Sequence, residues 1–133
     1  MLLFIVFWLS LAAEAWACSC MRPANGPVDM RMIREPGTLL FEGEVESLRG
    51  MQNDRRITAN IRVLEVISGS AGKRIVVETA RHSAACGVSL KAGTRMSWLV
   101  RKGENGAYRL SLCDQLFWRH HEKEIRQKLK SGK

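Results

Sequence analysis

Four cysteines carry most of the chemistry available to this chain: Cys18 and Cys20, two residues apart, and the distant Cys86 and Cys113. A thiol can shuttle electrons, hold a metal or form a disulfide. The spacing Cys-x-Cys is not the Cys-x-x-Cys of redox motifs, and Cys86 and Cys113 have no cysteine neighbour in sequence, so zinc held by cysteine alone is not expected. Two structural disulfides are the expectation. Pairing Cys18 with Cys20 would close a strained ring across one residue and is set aside. Two pairings remain open, and both tie Cys18 and Cys20 to the later half of the chain. Each closes loops of roughly 65–95 residues, worth about 4 kcal/mol per bond in the chain-entropy account. A second chemistry attaches to Cys18 itself. As the first residue of a processed chain, its α-amine and carbonyl oxygen would form a five-membered chelate for a metal, and a disulfide through its side chain would hold that chelate rigidly outward. From chemistry alone, the plainer role of a staple is favoured.

Other candidates are weaker. The histidines are His82, His120 and His121, and no Gly-x-Ser-x-Gly nucleophile turn exists. His120-His121-Glu122 brings metal-ligating types together, but successive helical residues point about 100° apart, so a solvated helix face is expected there. Gly69–Lys73 (GSAGK) lacks the spacing of a phosphate loop and has Arg74 where that motif needs a hydroxyl; a hairpin turn is expected. The reading is of a non-enzymatic protein with no cofactor of its own.

These cysteines belong to an exported chain if the first 17 residues are a leader. Leu2–Ala13 is apolar except for Ser10, too short for a bilayer span of about 20 residues but suited to a secretory signal. Ala15-Trp16-Ala17 offers small residues where a signal peptidase reads, so cleavage is expected before Cys18. No Lys or Arg precedes the apolar run. Lipid attachment at Cys18 is the minority alternative, weakened by Ala15 and Trp16 upstream. Residues 18–133 then form one secreted or extracytoplasmic domain with 21 basic and 12 acidic residues, a net +9, and no stable membrane span. One domain of this length excludes most large enzymes.

The elements that position the cysteines follow from patterning. Pro27–Glu35 is expected as a short helix stopped by Pro36-Gly37. Leu39–Leu48 alternates as a strand. Ile57, Ala59, Ile61 and Val63 keep one parity while Leu64 and Val66 take the other, which predicts a bulge near Val63-Leu64. Arg74–Thr79 is a further strand, and Met96–Lys102 with Ala107–Cys113 is expected as a hairpin around Gly103–Gly106. From Asp114, an expected N-cap, Trp118, His121, Ile125 and Leu129 form one helical stripe, with Glu122→Arg126 and Glu124→Lys128 pairs elsewhere on the helix. Mainly β with flanking helices and five strands, one of them long and bent, this predicts an OB-type five-stranded closed barrel.

The charge points to polyanions before nucleic acid. Arg55-Arg56, Lys73-Arg74 and the run Arg119, Lys123, Arg126, Lys128, Lys130, Lys133 are basic. Nucleic-acid OB barrels add aromatic stacking platforms. Only Phe41, Trp98, Tyr108, Phe117 and Trp118 follow the leader, and the strand pattern buries several of them. No nucleic-acid partner is expected.

Cys18-Ser19-Cys20, Ser83-Ala84-Ala85-Cys86-Gly87-Val88-Ser89-Leu90 and Leu110-Ser111-Leu112-Cys113-Asp114 together resemble the N-terminal domain of tissue inhibitors of metalloproteinases, within the netrin-like superfamily. The likeness spans Cys18 to about Lys130. It implies an OB barrel, the pairings Cys18–Cys86 and Cys20–Cys113, and a monomer that inhibits a zinc metalloproteinase by chelating the protease's zinc through the Cys18 amine and carbonyl. It further implies that Ser19 enters the protease specificity pocket and that Ser83, Ala84 and Ala85 flank it. Met21-Arg22 ahead of Pro23, where the family has one residue, departs from the pattern, as does the lack of the family's third disulfide in this domain. The alternative reading is a basic extracytoplasmic module for envelope or matrix polyanions without inhibitory activity.

Overall fold

The computed structural model describes residues 18–50 and 53–132. The leader assigned to residues 1–17 lies outside the described residues. In chain order the elements are α1 (Met30–Ile33), β1 (Thr38–Arg49), β2 (Arg56–Ser68), β3 (Arg74–Ala80), a 3-10 turn (Ser83–Ala85), β4 (Arg95–Lys102), β5 (Tyr108–Arg109) and α2 (Leu112–Ser131). The strands close a barrel in the order β1-β2-β3-β5-β4. All neighbours are antiparallel except β3 and β5, which run parallel. This is the expected OB-type barrel, mainly β with flanking helices.

Closure depends on β1, which pairs with β2 along one edge and with β4 along the other. Its alternation sends Leu39, Phe41 and Val45 into the barrel with Ala59, Ile61, Val77, Trp98 and Val100. Leu40 points the other way and joins Leu99 of β4 beneath the helices, against Ile33, Phe117, Trp118 and Ile125. β1 and β4 are thus buried on both faces where α2 covers them. The predicted bulge is present in β2: Glu42 pairs with Glu65 and Gly43 with Val63, leaving Leu64 as the extra residue. Two further shifts, at Ile67 and Glu46, bend the same pair of strands.

Gly43 occupies an inward position between Phe41 and Val45. A β-carbon there would come within 2.7 Å of both Ile61 Cγ2 and Phe41 Cε2, and its carbonyl accepts from the Trp98 indole at 3.4 Å. The barrel interior is therefore filled by neighbours leaning over a glycine.

Three expected elements differ in the structure. α1 is a single turn, because the Asp29 carboxylate caps the Arg31 N–H at 3.0 Å and Asp29 itself is extended. The second hairpin strand shrinks from Ala107–Cys113 to Tyr108–Arg109, since the chain turns after Leu110, whose N–H bonds the Glu78 carbonyl at 2.8 Å. α2 is capped by Ser111, not Asp114: the Ser111 hydroxyl accepts from the Cys113 N–H at 3.2 Å. Asp114 falls in the first turn, where the helix dipole suits its charge, and takes a two-pronged contact from Arg101 at 3.0 and 3.3 Å.

Gln115 and Trp118 fix α2 to β4. The Gln115 side chain accepts from the Leu99 N–H and donates to the Ser97 carbonyl, while the Trp118 indole donates to the Ser97 hydroxyl at 3.0 Å. The expectation of a solvated face at His120-His121-Glu122 holds for His120 alone. Glu122 is half-buried and bonded to Ser97 and Arg126. His121 is 9% exposed, against the Phe117 ring at 4.6 Å, because it belongs to the apolar stripe that faces the barrel.

Gly43→Ala is expected to cost about 1–3 kcal/mol by overpacking, measured as a lower urea midpoint with the circular dichroism of the folded state retained.

Candidate functional site

The segment Cys18–Gly26 belongs to no strand or helix, so no backbone ladder fixes its leading end. Two disulfides do. Cys18 is bonded to Cys86 with Cα atoms 4.9 Å apart, and Cys20 to Cys113 at 5.6 Å. These are the two pairings that the family resemblance implies. The bonds lie side by side, with the Cys18 and Cys113 sulfurs 3.7 Å apart. The sulfurs of Cys18, Cys20 and Cys113 fall within 4.8 Å of one another, but each is engaged in a disulfide and offers no thiolate to a metal.

The attachment point at Cys86 is itself rigid. The Ser83–Ala85 turn is closed by Ala85 N–H to the His82 carbonyl and Cys86 N–H to the Ser83 carbonyl, both at 3.0 Å. Cys86 adopts the left-handed conformation, φ 62°, uncommon for a residue with a side chain. Its carbonyl accepts from the Leu112 N–H at 2.8 Å, so the turn is tied to the start of α2. Gly87 is required beside it, because a β-carbon there would collide with the Ala80 carbonyl. The Val88 N–H bonds the buried Thr79 hydroxyl at 2.9 Å.

All five predicted contact residues are brought to this one edge. Cys18 is half-buried, while Ser19, Ser83, Ala84 and Ala85 are exposed. The Cys18–Cys86 bond places the first pair directly beside the other three. Sequence reasoning missed two features of the same edge. Met21 is fully exposed at 105%, an apolar side chain displayed one residue beyond Cys20. A hollow of about 200 Å³ beside Ala85 and Cys86 is bordered by Arg56, Glu78, Arg109 and Ser111. Arg56 and Arg109 lie 53 residues apart, and the register that pairs Arg56 with Ala80 and Glu78 with Arg109 is what brings them together. Glu78 bridges to Arg56 at 3.5 Å and is 18% exposed. No local motif announces that hollow.

Among the described residues, no helix is long and apolar enough to cross a membrane. No family model and no curated protein matches this chain.

Replacing Cys20 and Cys113 together by alanine is expected to cost about 2–5 kcal/mol of stability. Full reduction of the parent opens both disulfides and should cost more than this single-bond loss, and equilibrium unfolding with and without a dithiol measures both.

Proposed function

We propose that this is an extracytoplasmic, non-enzymatic protein that inhibits a zinc metalloendopeptidase through its Cys18 edge, as its resemblance to tissue inhibitors of metalloproteinases implies. The observation that carries this reading is the covalent fixing of Cys18-Ser19-Cys20 beside the exposed Ser83–Ala85 turn. A flexible leading segment would lose its conformational freedom on entering a protease cleft; this one has surrendered it on folding, so rigidity converts to affinity.

Removal of residues 1–17 leaves the Cys18 α-amine next to its own carbonyl oxygen. Delivered together, the two atoms would displace the water that a catalytic zinc site otherwise holds at its open position and chelate the ion. Ser19, exposed and flanked by two disulfide-bonded residues, presents its short hydroxyl side chain to the specificity pocket. Ser83, Ala84 and Ala85 have small side chains, so the second contact loop can approach a protease surface closely. Exposed Met21 adds apolar area at the same edge.

The test is N-terminal sequencing and intact mass of the exported protein, followed by inhibition assays against zinc endopeptidases. The expected mature chain begins at Cys18 with an unmodified amine. One alanine added ahead of Cys18 displaces that amine, and inhibition is expected to weaken by about 100-fold or more with the thermal melt unchanged. A diacylglycerol adduct on Cys18, cleavage elsewhere, or equal inhibition by the extended chain would refute chelation.

A further inference from the structure

α2 uses two of its faces for known purposes and leaves a third unexplained. Its apolar face is spent against the barrel through Phe117, Trp118 and Ile125. On another face Lys128 bridges Glu124 at 2.8 Å, and that ammonium holds the Glu124 carboxyl below the usual carboxylate range. The third face carries Arg119, Lys123, Arg126 and Lys130, spaced +4, +3 and +4. At 100° per residue these four fall within an arc of about 60°, and at 1.5 Å per residue they extend along about 16 Å of helix.

Two acids of α2 are committed off this face, Asp114 to Arg101 and Glu124 to Lys128, and the third, Glu122, is held at 3.0 Å by one of the stripe's own members, Arg126. Among the described residues no carboxylate pairs with Arg119, Lys123 or Lys130, and all three are exposed. Arg126 is held in place over the Trp118 ring, 5.8 Å from its centroid. One further acid borders the stripe: Glu65 lies in a groove of about 200 Å³ with Val66, Ile67, Arg126, Leu129 and Lys130.

We propose that this face of α2 docks a linear polysaccharide bearing sulfate or phosphate esters, at a surface separate from the Cys18 edge. A straight row of cations at axial steps of about 6, 4.5 and 6 Å, three of them unpaired and the third in line, Arg126, shared with Glu122, matches a linear polymer with regularly repeated anions. Two other polyanionic surfaces fit less well. A helix that lies on a lipid surface buries its apolar face in it, whereas α2 has already buried that face in the protein. Single-stranded nucleic acid is held by exposed aromatic platforms, and the aromatics of α2, Phe117 and Trp118, are buried.

The experiment is titration of the full-length mature protein with heparin, the probe polysaccharide, at several sodium chloride concentrations. Binding by the parent is expected at 0.15 M salt with a steep salt dependence. The triple variant R119Q/K123Q/K130Q is expected to reduce the log–log salt slope by about three and to bind at least about tenfold more weakly, with its melt and its protease inhibition unchanged. A control triple, R49Q/R55Q/K91Q, removes the same charge from exposed positions off α2 and is expected to change affinity far less. Glu65→Gln removes the bordering anion and is expected to tighten binding about twofold, a gain that damaged folding cannot mimic. Equal losses from both triples, no heparin binding by the parent at 0.15 M, or tighter binding to oligo(dT) or to phosphatidylglycerol vesicles at matched charge would overturn the proposal.

Discussion

Everything in this small domain depends on β1 being paired along both edges. A five-stranded sheet left open would expose two rows of unpaired backbone groups; by bonding β2 on one side and β4 on the other, β1 removes both. The same strand serves two cores, with Leu39, Phe41 and Val45 pointing inward and Leu40 outward under α2. That double duty explains why the bulges gather in the β1–β2 pair. The strands must bend sharply enough to close around a barrel whose interior holds Trp98 and Phe41, and Gly43 gives up its side chain to make room.

The disulfides work on a different problem. A barrel can position Cys86 and Cys113, because one lies on a turn tied to β3 and the other on the first turn of α2. It has no means of positioning Cys18–Cys20, which offers no ladder and almost no apolar surface. Covalent bonds take the place of packing there. Because the Cys86 carbonyl also bonds the Leu112 N–H, the two anchor points are joined to each other independently of the sulfurs. The leading segment is therefore held at two points on what is mechanically a single support.

Much of this was legible in the residues, for reasons that can be named. The parity switch between Val63 and Leu64 predicts the bulge because the side-chain period of a strand is two, and only an inserted residue reverses it. The helical stripe predicts the contact face of α2, His121 included. What was not legible depends on tertiary partners. Leu110–Cys113 alternates like a strand, yet Ser111 becomes a cap because pairing with β3 stops at Glu78 and Arg109 and the Leu112 N–H turns to the Cys86 carbonyl. Asp114 looks like a cap in sequence and is instead claimed by Arg101 of β4. The hollow between Arg56 and Arg109 exists only through a parallel β3–β5 pairing that no local pattern encodes. For the Cys18 edge, the resemblance named the residues, while spacing alone left two disulfide pairings open.

α2 links the two surfaces proposed to meet partners. Its first turn holds Cys113 and, through Leu112, the Cys86 turn; its later turns carry the unpaired cations outward. The edge proposed to meet a protease is small and built largely from short side chains, Cys18, Ser19, Ser83, Ala84 and Ala85, with Met21 beside them, whereas the α2 face is long and positive. Two such surfaces respond to different physics. Salt screens the second within a Debye length of about 8 Å at physiological ionic strength and leaves shape complementarity at the first nearly untouched. Under the two proposals, the domain is concentrated on an anionic polysaccharide by the later turns of α2 while its first turn keeps the rigid edge oriented and free.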